Sequence, residues 1–262
     1  MASPHLLSRI DGFFETLAGS RERALLVDYD GTLAPFRQEP QQAFPYPGIM
    51  ELLDSLRSTT GTRLVIVTGR PTAKVLPLLG LNPAPEIFGV HGLERLLPDG
   101  SRRVHALEPA AVLALAEAGS ELARAGAGSL LEHKLGALAV HWRGLSERAQ
   151  AQTESTARKI LQRYARQGLV LAPFDHGVEL RLSRPNKGDV VQTILEEAPG
   201  AAVAYLGDDV TDEDAFRAIR GHGLGVLVAK MHRKTAATEW LQPPEGLTQF
   251  LHRWLHVCGG DA

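Results

Sequence analysis

Three times in this chain a short apolar run ends in a polar turn and then gives way to a helix. The runs are Ala24–Asp28, Arg63–Val67 closing on Thr68-Gly69-Arg70, and Ala202–Leu206 closing on Gly207-Asp208-Asp209. Apolar runs this short and this continuous read as strands buried on both faces, and strands alternating with helices imply a mostly parallel sheet covered on both sides. Ile87–Val90 and Leu224–Val228 read as two further strands. Helices fit Ile49–Ser58, Pro71–Leu79, Gly188–Glu197, Thr211–Ile219 and Leu247–Val257, with Pro71 where its missing N–H is harmless. In such sheets ligands bind beyond the carboxyl ends of the strands, near the point where strand order reverses. Each polar turn named here lies at such an end.

The middle of the chain follows another pattern. Glu108–Ala127 and Ser146–Arg166 read as helices, and Ser129–Lys134, Gly136–Arg143, Leu169–Pro173 and Val178–Leu182 as strands. Four strands and two helices in that order form an α+β insert rather than more parallel sheet. The expected organisation is therefore an α/β core, residues 1–103 and 183–262, with a smaller inserted domain over 104–182. Pro98-Asp99-Gly100 and Ser183-Arg184-Pro185 are the expected hinges.

Composition narrows the function. With 262 residues the chain has ample length for a core, and its 44% hydrophobic and 22% charged residues are ordinary for a globular protein. A formal charge of -2 gives no sign of a nucleic-acid or membrane partner. The single cysteine, Cys258, excludes an intramolecular disulfide. Met1 to Thr16 carries Arg9, Asp11 and Glu15 among its apolar residues and so lacks a signal-peptide core. No apolar run approaches the roughly 20 residues of a membrane span. A soluble cytoplasmic protein acting on a small molecule is expected, as a monomer, although nothing in the residues speaks to oligomeric state.

Four groups of residues carry chemistry. In Asp28-Tyr29-Asp30-Gly31-Thr32-Leu33, strand alternation starts Asp28 and Asp30 on one side. Two carboxylates there suit a divalent cation and a phosphoryl group, one attacking and one handling a proton. Taken alone, the motif is also served by a solvated turn. Thr68-Gly69-Arg70 places a hydroxyl and backbone N–H groups at a helix N-terminus, where anions are favoured, though an ordinary turn has the same wording. Lys187-Gly188 opens a helix with a point charge able to hold a phosphate oxygen, a weak signal by itself. In Gly207-Asp208-Asp209-Val210-Thr211-Asp212-Glu213-Asp214, four aspartates and a glutamate within seven residues repel one another unless a cation compensates. Helix capping accounts for Thr211 or Asp212 but not for Asp208 and Asp209. Magnesium, which prefers oxygen ligands, needs only two or three such carboxylates.

The insert adds a fifth pattern. Glu132 and Lys134, His141 and Arg143, and Glu179 and Arg181 each share a strand face. If the three faces coincide, the insert presents a surface suited to sugar hydroxyls. The alternative is the solvated face of a half-exposed sheet.

Taken together, DYDGTL, VTGR, FGVHGLE, LLEHKLGALAVHWR, VELRLSRPNKG and GDDVTDEDAF, in that order, resemble the trehalose-6-phosphate phosphatases of the haloacid-dehalogenase (HAD) superfamily. The similarity runs from about residue 20 to about residue 230. It implies a Rossmann-like HAD core with a mobile inserted cap that carries substrate specificity. It implies Mg²⁺ held by Asp28, the backbone carbonyl of Asp30, and Asp208, with Asp209 or Asp212 nearby through water. Asp28 would be the nucleophile, forming an aspartyl-phosphate, and Asp30 the general acid and then base. Thr68, Arg70 and Lys187 would hold phosphate oxygens or orient the site. Glu132, Lys134, His141, Arg143 and Glu179 would read the sugar from the cap, with His91 contacting it from the core. The implied reaction is Mg²⁺-dependent hydrolysis of trehalose 6-phosphate.

Two departures from the family's usual wording are Thr68 for serine, which keeps the hydroxyl, and Trp142 for tyrosine. Trp142 alternates away from His141 and Arg143 and is expected to pack. Related ATPases with long-lived aspartyl-phosphates carry threonine where Asp30 stands, and the superfamily's dehalogenases need neither the second aspartate nor the metal cluster. The alternatives are another sugar phosphatase, acting on sucrose 6-phosphate or a glycosyl-glycerate phosphate, and a catalytically silent phosphosugar-binding protein, which has no need of Asp30.

Overall fold

The computed structural model describes residues 9–37, 39–166 and 168–259. Part of the N-terminal stretch read above for targeting, residues 1–8, lies outside them. The chain forms two compact units, one from the segments up to Val104 and from Asn186 onward, the other His105–Pro185. The first begins with α1 (Arg9–Gly19), β1 (Arg23–Val27), α2 (Ile49–Thr59), β2 (Arg63–Val67), α3 (Thr72–Leu79), β3 (Glu86–Gly89), β4 (Glu94–Leu96) and β5 (Arg102–Val104). The second holds α4 (Pro109–Leu122), β6 (Leu131–Lys134), β7 (Ala137–His141), α5 (Glu147–Tyr164), β8 (Leu169–Phe174) and β9 (Gly177–Leu182). The first unit then resumes with α6 (Lys187–Glu197), β10 (Ala202–Gly207), α7 (Glu213–Ile219), β11 (Leu224–Val228), β12 (Glu239–Leu241) and α8 (Glu245–Val257).

The sheet of the first unit has the order β12-β11-β10-β1-β2-β3-β4-β5. The strands from β12 to β3 run parallel, and β4 and β5 add an antiparallel edge. From β1 the chain moves outward through β2 and β3, then returns to β10 on the other flank, so strand order reverses between β1 and β10. That reversal opens a crevice at their carboxyl ends.

Strand alternation sorts the apolar residues into two layers. Leu25, Val27, Ile66, Leu206 and Val226 face Phe14, Leu17, Leu53, Leu56, Val75 and Trp254 of α1, α2, α3 and α8. Ala24, Leu26, Val65, Val67 and Val203 face Val190, Val191, Ile194, Phe216 and Ile219 of α6 and α7. Each Leu, Ile or Val fully withdrawn from water contributes about 1.5–3 kcal/mol. The central strands are held by burial on both faces, and this fixes the crevice they end in.

Besides α1 and β12, the sequence reading missed two short charged strands. β4 and β5 are three residues each and carry Glu94, Arg95, Arg102 and Arg103. Pro98-Asp99-Gly100, expected as a hinge, is the tight turn between them, with Leu97 N–H donating to Ser101 O and Gly100 N–H to Leu97 O, both at 2.9 Å. The helix expected over Thr211–Ile219 begins at Glu213, because a separate helical turn, Val210–Asp212, precedes it.

The second unit is an antiparallel sheet in the order β6-β7-β9-β8. Leu138, Val140, Val178 and Leu180 pack with Ala118, Leu122, Ala157, Ile160 and Leu161 of α4 and α5, and Trp142 is buried among them. The register sets Glu132 opposite Ala139 and Ala139 opposite Glu179. It likewise sets Lys134 opposite Ala137 and Ala137 opposite Arg181. Directly paired residues share a face, so these charges line the side of the sheet away from the helices. Among the described residues no helix is long and apolar enough to cross a membrane.

Candidate active site

Asp28 continues the β1–β10 ladder by one step, its N–H donating to Leu206 O at 2.9 Å, and its carboxylate is buried. The chain then turns sharply, with Leu33 and Ala34 N–H both donating to Tyr29 O at 3.0 Å. Gly31 sits in that turn at φ 84, a left-handed conformation that costs other residues about 1–2 kcal/mol. A Cβ there would also overlap the Asp208 carboxylate, so a strand end from each side of the reversal meets at this glycine.

Lys187 is the first residue of α6, fixed by a reciprocal cap. The Asn186 side chain accepts from Gly188 and Asp189 N–H, and Asp189 accepts from Asn186 N–H. The start of the helix therefore delivers a buried ammonium, 2.7 Å from Asp28 Oδ1 and 2.7 Å from Asp212 Oδ1. Burial opposes the charged form of Lys187, but Asp212 and Asp28 outweigh it and hold its pKa above the ordinary lysine value.

Asp212 is fully buried and saturated. Its Oδ1 also accepts from Tyr205 Oη at 2.5 Å, and its Oδ2 from the N–H groups of Asp208 and Asp209 at 3.1 and 2.9 Å. Four donors on one carboxylate make it the organiser of the strand-end loop. Asp208 is the opposite case: its Oδ1 is buried with no hydrogen-bond partner. Asp28, Asp208 and Asp212 each offer an oxygen within 4.8 Å of the others. Burial pushes Asp28 up to about 7, with Asp212 and Asp30 adding to it and Lys187 opposing. Burial, Asp28 and Asp212 push Asp208 up to about 10, again against Lys187. The cluster calls for more positive charge than one ammonium supplies. An all-oxygen donor set with an orphaned carboxylate oxygen fits a hard divalent cation such as Mg²⁺.

Asp30 does not join this cluster. Its carboxylate is gripped by the Arg70 guanidinium, Nε to Oδ2 at 2.6 Å and Nη2 to Oδ1 at 2.5 Å, and Arg70 Nη1 donates to Pro40 O at 2.6 Å. Asp209 is exposed and caps the following turn through Val210 N–H at 2.5 Å. Thr68 is buried, its hydroxyl accepting from Arg70 N–H at 3.1 Å and its carbonyl from His91 N–H at 2.9 Å. His91 lies so close to Gly69 that a Cβ there would come within 2.8 Å of the imidazole. Val90 and His91 hold φ of 49 and 57, a strained pair kept by its surroundings beside the Thr68-Gly69-Arg70 turn. The start of α3 is already capped by a carboxylate: Glu94 Oε2 accepts from Thr72 N–H at 2.8 Å and from its hydroxyl at 3.0 Å. The sequence reading gave Glu94 no role, and its only signal was its place in FGVHGLE.

In the second unit, Lys134 donates to Glu179 Oε1 at 3.0 Å and lies 3.5 Å from Glu132 Oε2, which is 2.9 Å from His141 Nε2. Burial would lower the Lys134 pKa, but Glu179 and Glu132 more than offset it and raise it. Phe174 was missed by the sequence reading. Its ring occupies the place a Cβ on Gly177 would take, and lies tilted against His141 with ring centroids 5.1 Å apart. Arg143 stands apart, at the end of the sheet, paired with Asp175 at 2.7 Å.

A family model described as trehalose-phosphatase matches residues 26–244. A trehalose-phosphate phosphatase of Mycobacterium tuberculosis is 31% identical over 246 residues, 89% of this chain. The chain spans 61% of that relative's length. Among solved structures, the C-terminal domain of the Candida albicans trehalose-6-phosphate phosphatase superposes with a TM-score of 0.76 at 21% identity, covering 97% of both chains. A phosphatase of the HAD superfamily from Bacteroides thetaiotaomicron superposes with a TM-score of 0.63 at 17% identity, covering 90% of this chain and 96% of its own. On the match to most of its length, and with the HAD fold, the chain belongs to the trehalose-phosphatase family.

Proposed function

We propose that this protein hydrolyses trehalose 6-phosphate to trehalose and phosphate, with Mg²⁺ bound, through an aspartyl-phosphate on Asp28. The observation that carries the reading is the buried Asp28 carboxylate, tied to Lys187 and placed beside the orphaned Asp208 oxygen. Asp28, Asp208 and the backbone carbonyl of Asp30 would hold the cation, with Asp212 shaping their loop. When bound, the metal supplies positive charge that keeps Asp28 ionised and offsets charge on the phosphoryl oxygens.

The chain's own residues divide the remaining work. Lys187 fixes one oxygen of Asp28, and the carboxylate attacks phosphorus as the P–O bond to the sugar breaks. The departing sugar oxygen takes a proton from Asp30. Asp30 then removes a proton from water, which attacks phosphorus, breaks the acyl-phosphate bond and returns Asp28 to a carboxylate. Both oxygens of Asp30 accept from Arg70 here, and the second step uses this carboxylate as the base. To serve as the acid first, Asp30 must loosen that grip and take up a proton, and a phosphate group competing for Arg70 provides the means. Thr68 and His91 line the same turn and are assigned to phosphate and sugar contacts.

In the second unit, alternating acceptors and donors on Glu132, Lys134, Glu179 and His141 match hydroxyls, which both donate and accept. These residues, with Arg143, are assigned to reading the disaccharide.

The test is phosphate release from trehalose 6-phosphate, sucrose 6-phosphate and glucose 6-phosphate, each with Mg²⁺ and with EDTA. Mg²⁺-dependent preference for trehalose 6-phosphate is expected. Activity without that preference would discard the substrate, and no release from any of the three would discard the reaction.

A further inference from the structure

The acidic loop between β10 and α7 is held from two sides, and the second side is a residue far along the chain. Arg233, in the irregular segment between β11 and β12, points its guanidinium at the backbone of that loop. Nη2 donates to Asp208 O at 3.0 Å and to Asp209 O at 2.7 Å, and Nε donates to Asp208 O at 3.2 Å. Nη1 bonds the Glu213 carboxylate and donates to Lys234 O at 3.1 Å. The other oxygen of Glu213 accepts from Ala236 N–H at 2.7 Å, which ties the Arg233 segment to the start of α7.

On the opposite edge of the same residues, the N–H groups of Asp208 and Asp209 are taken by Asp212 Oδ2. Both backbone polar groups of two successive residues are therefore fixed, the N–H groups by Asp212 and the carbonyls by Arg233. What this fixes is the direction in which Asp208 leaves the backbone, toward the turn at Gly31 and toward Asp28. Mg²⁺ demands near-octahedral geometry, and outer partners that orient metal ligands are worth about 10- to 100-fold in affinity. A fork of donors is needed for the task, since one group must serve two carbonyls and a carboxylate together.

We propose that Arg233 is a positioning residue for the cation site, setting the Asp208–Asp209 backbone so that the Asp208 carboxylate meets the metal. The inference rests on the metal reading above. Its test is direct binding of Mn²⁺ to the full chain, followed by electron paramagnetic resonance without substrate, alongside the Mg²⁺ dependence of phosphate release.

Arg233→Met is expected to weaken Mn²⁺ binding about 10- to 100-fold and to raise the Mg²⁺ concentration for half-maximal activity in parallel. Arg233→Lys should recover only part of the loss, because a point charge cannot span both loop carbonyls and the Glu213 carboxylate. A merely structural role would lower the melting temperature in EDTA and leave the Mn²⁺ affinity of the folded protein unchanged, which overturns the proposal. Should Arg233→Met fail to fold, Glu213→Gln decides: it removes the charge that anchors Nη1 and must itself weaken Mn²⁺ binding several-fold, and wild-type affinity in it overturns the proposal. Absence of Mn²⁺ binding by the wild-type chain would overturn the metal reading and this inference together, a result distinct from a loss confined to the variants.

Discussion

Lys187→Met is the perturbation whose size follows most directly from the structure. Lys187 is 2% exposed, and its ammonium lies 2.7 Å from both Asp28 and Asp212. Methionine fills much of the same space without the charge, leaving two buried carboxylates facing each other and Asp208. Removing one partner of a buried ion pair costs about 3–5 kcal/mol, because the remaining charge is stranded. In a chain of this size each kcal/mol moves the melting temperature about 2–4 °C, so a fall of about 6–20 °C is expected in EDTA. The pH dependence has a definite sign. Without Lys187 the buried Asp28 carboxylate binds its proton more tightly in the folded than in the unfolded state, so its contribution is best at low pH and worsens as pH rises. Lys187 opposes the rise of Asp28, which even so lies at about 7, and its loss lifts Asp28 further, so the deficit against wild type is smallest near pH 5 and grows as pH rises through about 7. Saturating Mg²⁺ should restore part of the loss by binding the folded state. Melts followed by circular dichroism across pH 5–8, with EDTA and with Mg²⁺, read all three effects. A variant that melts with wild type at pH 8 in EDTA would refute the reasoning.

Other perturbations test separate parts of the account. Glu197 is held down to about 2 by the guanidinium of Arg95, with burial opposing and Arg63 adding to it, so it contributes stability above the ordinary glutamate range that is lost as pH falls from about 4.5 toward 2. Glu197→Gln should flatten that acid limb in a pH series of chemical denaturations; an unchanged limb counts against the assignment. Gly31→Ala forces a left-handed alanine, at about 1–2 kcal/mol, into space held by the Asp208 carboxylate, so it should weaken Mn²⁺ binding as well as lower the melting temperature. Wild-type metal affinity in that variant would show that Asp208 can move freely. Glu179→Ala and Glu132→Ala should raise KM for trehalose 6-phosphate about tenfold or more, the scale of one lost hydrogen bond to a charged group, while sparing a small aryl phosphate. Equal effects on both substrates would argue against sugar reading.

The parallel core was legible because burial on both faces leaves continuous apolar runs such as Ala24-Leu25-Leu26-Val27, and because polar turns mark the strand ends. The cluster was legible for a related reason: Asp208 and Asp209 repel one another at a strand end and have no capping duty that explains them both. Its division of labour was not. That Asp212 is saturated by Lys187, Tyr205 and two backbone N–H groups while Asp208 keeps an unpartnered oxygen depends on distances between β1, β10 and α6. The Asp30–Arg70 fork joins residues 40 positions apart, and the sequence reading assigned both to other contacts. Arg233 is less legible still, since it acts on carbonyl groups that every residue possesses. β4 and β5 escaped because three-residue charged strands show no periodicity to read.

The central claim is that Asp28 becomes phosphorylated during turnover. The direct measurement is mass spectrometry of peptides from the enzyme acid-quenched during steady-state hydrolysis of trehalose 6-phosphate with Mg²⁺. The account predicts a phosphoryl group on Asp28, absent in EDTA, and no phosphate release from Asp28→Asn. Phosphate release at wild-type rate from Asp28→Asn would contradict it.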